Sequence, residues 1–189
     1  MPFSAYAASD AKSISDLLET EKQVIVENVT EAVNIAPKPS KKKLDIGRTG
    51  LPIPRFVTLK RDEVNVRKGP KETFDIAWKF KRKHLPVEII AEYDNWRKIR
   101  DHFGEEGWVF HSLLSSARYG LVKPWEVEGF FTIHNERNEN SRIVAKFEAG
   151  VLARIKACDG TWCQITKNSS QGYIKQEFLW GAYVNEKIK

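Results

Sequence analysis

Two cysteines, Cys158 and Cys163, flank the tetrapeptide Asp159-Gly160-Thr161-Trp162. If Gly160-Thr161 turns a two-residue hairpin, Asp159 faces Trp162 and Cys158 faces Cys163. A turn-closing pair is hydrogen-bonded, so the next pair out is not, and its Cα atoms lie about 4.5 Å apart. That separation is at the short end of disulfide geometry. The spacing therefore predicts a Cys158–Cys163 disulfide, which needs an oxidising compartment. The loop it closes is short, so it pins register more than it stabilises. Zinc lacks ligands here, since only His134 lies near in sequence. A cysteine nucleophile would lack both a histidine base and a peptidase motif.

The other groups that could do chemistry are scattered. His84, His102, His111 and His134 form no His-x-x-x-His pair and read as turn or surface residues. Glu105-Glu106 precedes Gly107-Trp108 and reads as a loop or strand edge. There is no glycine-rich phosphate loop and no Gly-x-Ser-x-Gly elbow. The expectation is a non-enzymatic protein with no catalytic residue, no metal and no cofactor. The aromatics carry more signal. Trp78, Tyr93, Trp96, Trp108, Trp125, Trp162, Tyr173 and Trp180 are interleaved with lysine and arginine. Tryptophan is both an apolar body and a polar handle, so it serves cores and grooves alike. The candidate ligand-binding residues are Trp78, Tyr93, Trp96 and Trp108. Trp96 and Trp108 also fit a packing role, whereas Trp78 and Tyr93 suit an exposed groove better.

These residues must be positioned by short strands. From Leu51 onward, β-branched and aromatic runs alternate with Gly, Asp, Asn and Pro turns, at 64–66, 87–91, 97–100, 107–110, 131–133, 151–157, 163–166 and 172–174. Residues 111–115 and 176–180 read as single helical turns. The pattern also repeats. Ala91 to Ile99 aligns with Ala157 to Ile165, Glu106 to Val109 with Gln171 to Ile174, and Ser112 to Leu114 with Glu177 to Leu179. An offset of 65 to 66 residues throughout marks a duplicated structural unit. In that unit Glu92 and Arg97 stand where Cys158 and Cys163 stand in its copy. The cross-strand position is thus ionic once and sulfur once.

The residues Val64-Asn65-Val66-Arg67-Lys68-Gly69-Pro70, Asp94-Asn95-Trp96 and Glu106-Gly107-Trp108-Val109 resemble the bacterial SH3-like domain. The resemblance covers residues 51–184 and is similar to exported two-domain proteins of that kind. The second repeat departs from it, with Ile133-His134-Asn135-Glu136 in place of the Arg-x-Gly-Pro turn and Tyr173 in place of a tryptophan. The resemblance implies an all-β chain of two tandem small SH3-like β-barrels, residues 51–117 and 118–189. They would follow a largely disordered or partly helical segment at 1–50. Gly69 and Gly150 suit turns with positive φ. Gly107 and Gly172 suit a close backbone approach. Ile99, Val109, Ile165 and Ile174 would point inward.

Composition sets the remaining bounds. The chain has 189 residues and a net charge of +6, which reads as a dispersed surplus favouring anionic partners. No stretch reaches the roughly 20 apolar residues of a membrane helix. Ala5-Tyr6-Ala7-Ala8 reads as a truncated export signal with a cleavage site. Residues 9–34 carry a thin helical stripe, and 37–43 read as a basic proline-containing linker. Together with the cysteines these point to a periplasmic or secreted protein. The expected function is a non-catalytic envelope adaptor recognising peptidoglycan or a peptide, with a cell-wall peptide or envelope protein as partner. Alternatives are a scaffold for proline-containing peptides, with Leu51-Pro52-Ile53-Pro54-Arg55 occupying a groove in cis, and a nucleic-acid-binding module.

Overall fold

The computed structural model describes residues 45–189. The readings of residues 5–8, 9–34 and 37–43 lie outside the described residues. A two-stranded ribbon, β1 (Asp45–Ile46) and β2 (Pro52–Ile53), precedes the first sheet. That sheet comprises β3 (Arg55–Leu59), β4 (Val64–Arg67), β5 (Ile76–Phe80), β6 (Pro86–Tyr93), β7 (Trp96–Arg100), β8 (Glu106–Phe110) and β9 (Leu114–Ser115). The second comprises β10 (Tyr119–Val122), β11 (Phe130–His134), β12 (Ile143–Glu148), β13 (Leu152–Asp159), β14 (Trp162–Lys167), β15 (Ser170–Lys175), β16 (Leu179–Trp180) and β17 (Lys187–Ile188). Single 3-10 turns at His111–Leu113 and Gln176–Phe178 link the last long strand of each sheet to the short strand after it.

The two sheets have one topology. Their orders are β5-β4-β8-β7-β6-β3-β9 and β12-β11-β15-β14-β13-β10-β16, with β17 added beside β13. Even the irregularities repeat. Register shifts fall at Ile89/Ala91 and Ile155/Ala157, and again at Val66/Arg67 and Ile133/His134. Side chains alternate across the strands, most clearly in β4, where Val64 and Val66 are buried and Asn65 and Arg67 are not. Each sheet keeps its own core. Leu59, Val64, Val66, Val87, Ile99 and Val109 fill the first, and Val122, Ile133, Phe147, Ile155, Ile165 and Ile174 the second.

The expected closed barrels do not form. Each sheet is an open path whose end strands, β5 with β9 and β12 with β16, do not hydrogen-bond each other. The reason is length. β9 and β16 have two residues each, too few to carry a ladder onward and close the ring. Gly107 and Gly172 do sit at close approaches. A Cβ on Gly172 would lie 2.6 Å from the His134 carbonyl oxygen. Gly150 has the expected positive φ of 72°, but Gly69 does not; its small size instead admits the Phe74 ring.

Both sheets lie within one compact unit, and they meet at an aromatic seam. Phe56 packs edge-on against Trp180, with ring centroids 5.0 Å apart, and against Tyr183 at 4.6 Å. The Trp180 indole N–H donates to the Pro86 carbonyl at 3.1 Å, and the Tyr183 hydroxyl donates to Glu88 at 2.7 Å. Glu88 also takes the Arg100 guanidinium, so the buried carboxylate is satisfied from both sides. Burial and the Glu88 carboxylate push the Tyr183 phenol far above its ordinary pKa, so it remains a donor.

Candidate functional site

The hairpin that carries the cysteines sits where the spacing put it. Cys158 and Cys163 are paired in register and bonded, with Cα atoms 4.1 Å apart. The Asp159 carboxylate accepts from the Thr161 and Trp162 backbone N–H groups at 2.9 and 2.8 Å and so fastens the turn. Gly160 supplies the positive φ of 109° that the turn requires. A disulfide of this kind belongs to an oxidising, non-cytoplasmic environment.

In the first sheet the same position is ionic. Glu92 and Arg97 are cross-strand partners, with Arg97 Nε 3.4 Å from the carboxylate. Arg55 adds a closer contact at 2.6 Å, and Thr49 donates through its backbone N–H at 2.9 Å and its hydroxyl at 2.8 Å. Burial alone would raise the Glu92 pKa, but the hydrogen bonds from Arg55 and Thr49 overcome it and hold the carboxyl at about 2.

A cleft of about 390 Å³ opens on the outer face of the first sheet. It is lined by Glu63, Asn65 and Arg67 around β4, Glu72 in the following loop, Lys79 on β5, Trp96 on β7, Phe110 on β8, and Ser112 and Leu113 in the 3-10 turn. Strand alternation explains the lining. Val64 and Val66 point into the core, so Asn65 and Arg67 point out. Trp96 is paired in register with Phe110, and the rings meet edge-on at 5.5 Å. The cleft thus has an aromatic wall and groups of both charges. Lys79 and Glu63 pair across it at 3.2 Å.

The four proposed ligand residues are not brought together. Trp96 lines the cleft. Trp108 shares its face of the sheet, between Arg67 and Lys98, without lining it. Trp78 pairs with Val66 and packs on the core side, its ring against Phe80. Tyr93 is exposed near the hairpin turn. Arg67, Lys79, Glu63 and Phe110 were missed. The register of Trp96 against Phe110 was the available signal, because it fixes which face each strand turns outward. The segment at 51–55 does not occupy the cleft; Pro52 and Ile53 pair with β1 and Arg55 begins β3.

On the second sheet a loop reaches the corresponding surface. Trp162, Tyr173 and His134 stand where Trp96, Trp108 and Arg67 stand in the first. The loop at 135–142 folds against them. Arg137 lies over the Tyr173 ring at 5.4 Å and pairs with Asp159 at 3.3 Å, and Glu139 pairs with Lys175. His134 is a correction to the surface reading of the histidines. It is buried, with Nε2 against the Thr132 hydroxyl at 2.9 Å and its ring edge-on to Trp162. Among the described residues no group of three or more His, Cys, Asp or Glu could hold a metal, and no helix is long and apolar enough to cross a membrane.

The model of the bacterial SH3 domain matches the chain twice, at residues 60–116 and 132–181. No curated protein matches. Among solved structures, NlpC2 from Trichomonas vaginalis is similar over 67% of this chain and 48% of its own, at 17% identity and a TM-score of 0.31. NlpC1 from the same organism is similar over 72% of this chain and 48% of its own, also at 17% and 0.31. The chain spans about half the length of the solved chains it matches. The expectation of a non-enzymatic, purely binding protein is withdrawn. It rested on motifs missing from these residues, and a missing motif does not exclude catalysis.

Proposed function

The chain belongs to the bacterial SH3 domain family, and from that premise we propose that its first sheet recognises a charged cell-wall peptide in the periplasm or outside the cell. The carrying observation is the open cleft of about 390 Å³; on the second sheet, Arg137 and Glu139 of the loop at 135–142 pair with Asp159 and Lys175 at the corresponding surface. Trp96 and Phe110 offer apolar contact to a short side chain or backbone stretch. Arg67 and Lys79 suit a carboxylate of the peptide, and Glu63 and Glu72 suit an amine. A peptide bearing both charges fits this lining better than a neutral one. The Cys158–Cys163 disulfide supports the compartment. Recognition by this domain is compatible with catalysis elsewhere in a whole protein.

The test is calorimetric titration of the full chain with purified cell-wall peptides. Binding should weaken by about tenfold or more in Trp96→Ala and in Arg67→Ala, each checked for native circular dichroism. Unchanged affinity in both folded variants sinks the assignment to the cleft. Absence of binding to every cell-wall peptide sinks the partner.

A further inference from the structure

Exposed cations without ion-pair partners among the described residues gather on one face of the molecule. Lys60 and Arg61 follow β3, and Lys81, Arg82 and Lys83 precede β6. Backbone hydrogen bonds bring these segments side by side. The His84 N–H donates to the Leu59 carbonyl at 2.9 Å, and the Leu59 N–H to the Leu85 carbonyl at 3.0 Å. All five cations are exposed, and none makes an ion pair among the described residues.

The second sheet extends this patch. His84 stacks flat on Tyr119, with centroids 4.3 Å apart and planes within 4°. Tyr119 is paired in register with Arg154 on β13, and Arg154 and Lys156 are exposed and likewise without an ion pair among the described residues. The imidazole of His84 feels the cations. Its pKa is lowered by burial first and then by Lys83, with Asp62 opposing and Arg154 adding to the effect. Seven cations (Lys60, Arg61, Lys81, Arg82, Lys83, Arg154 and Lys156) stand against the single acid Asp62. The six positive charges left over equal the whole net charge of +6.

We propose that this face is a binding surface for a linear phosphate-bearing polymer that runs across both sheets. Unpaired like charges repel, and a multivalent anion relieves that repulsion at several points at once. A bilayer is the poorer fit. None of the exposed large apolar residues falls at 60–62, 81–84 or 152–156, so nothing there could anchor in lipid. A nucleic acid is also the poorer fit, because Tyr119 is occupied by His84 and offers no free ring for a base. None of the seven cations lines the cleft, so this surface stands or falls separately from the peptide site.

The experiment is titration of the full chain with long-chain polyphosphate at several salt concentrations. Wild type should bind, with affinity falling steeply as salt rises. The combined variant Lys81→Glu, Arg82→Glu, Lys83→Glu should lose about tenfold or more. Arg154→Glu with Lys156→Glu should also lose several-fold, because the polymer crosses to the second sheet. Trp96→Ala should bind polyphosphate as wild type does. The combined variant Arg142→Glu, Lys187→Glu, Lys189→Glu makes the same change in net charge elsewhere and should bind nearly normally. Equal loss in that control, or no loss in the patch variants, overturns the proposal. So does tighter binding to phosphatidylglycerol vesicles or to a single-stranded oligonucleotide than to polyphosphate.

Discussion

The two hairpins that occupy the same place in the two sheets are held by different chemistry. In the first, Glu92 reaches Arg97 across the hairpin and gathers Arg55 and Thr49 as well. In the second, Cys158 and Cys163 form a bond and take no part in any ionic network. The difference spreads beyond the hairpin. Leu59 pairs with Leu114, and Val122 with Leu179, which makes Arg118 the counterpart of Arg55. Without a glutamate at the hairpin, Arg118 takes its carboxylate from Glu186, with contacts of 2.8 Å from each terminal nitrogen. The arginine position is kept and its partner changes. A half-buried guanidinium is stabilised by a carboxylate, and here Glu186 supplies it.

Three experiments bear on this contrast. The largest effect belongs to Glu92→Gln, which leaves the half-buried Arg55 and the buried Arg97 without a carboxylate. Urea unfolding should show a loss of about 3 kcal/mol, and a loss under about 1 kcal/mol would mean that the ionic hairpin is ornamental. Next comes the double variant Cys158→Ser, Cys163→Ser. The closed loop is short, at a sequence separation of 5, so the loss should be about 2 kcal/mol. Hydrogen exchange should quicken in β13 and β14 while β6 and β7 stay protected. If β6 and β7 loosen equally, the two hairpins are not independent.

The smallest effect is a response to acid. The folded-state pKa of Glu92 is depressed from 4.5 to about 2. Its stabilisation is therefore complete above about pH 4.5 and is lost as pH falls toward about 2. By about pH 4 the loss should be roughly 1 kcal/mol. Asp159 is also held low by the Trp162 and Thr161 N–H groups, but it is exposed and contributes little. The first sheet should thus loosen in acid before the second. Tryptophan indole resonances of Trp96 and Trp162, followed separately by NMR, would report the order, and simultaneous loss would contradict it.

Local features were readable from the sequence because local rules set them. The Cys158–Cys163 bond followed from turn length and strand alternation alone. The ionic counterpart at Glu92 and Arg97 followed from the repeat. The runs that became β4, β6, β7, β8, β11, β13, β14 and β15 were found where β-branched residues met Gly or Asn turns. β5, β10 and β12 were passed over; in β12, Ile143 and Val144 are both exposed and follow no inward–outward pattern. Closure was misjudged, because it depends on the length and pairing of β9 and β16, which two residues cannot announce. The site was half readable. Trp96 was named as a ligand candidate that also fits a packing role, and it both packs on Phe110 and lines the cleft. Arg67 and Lys79 became visible only once the register showed them sharing a face. The seam left no trace either, for nothing near Phe56 in the chain foretells Trp180 or Tyr183.

The seam has a consequence for the order in which the molecule is completed. Phe56 lies on the third strand, yet the rings that cover it, Trp180 and Tyr183, come after nearly all of the second sheet. During synthesis the first sheet can pair its own strands while this aromatic surface is still bare. It stays bare until the residues around 180–183 have emerged. That interval is a window for sticking to other chains, and a pause in translation before position 180 would lengthen it.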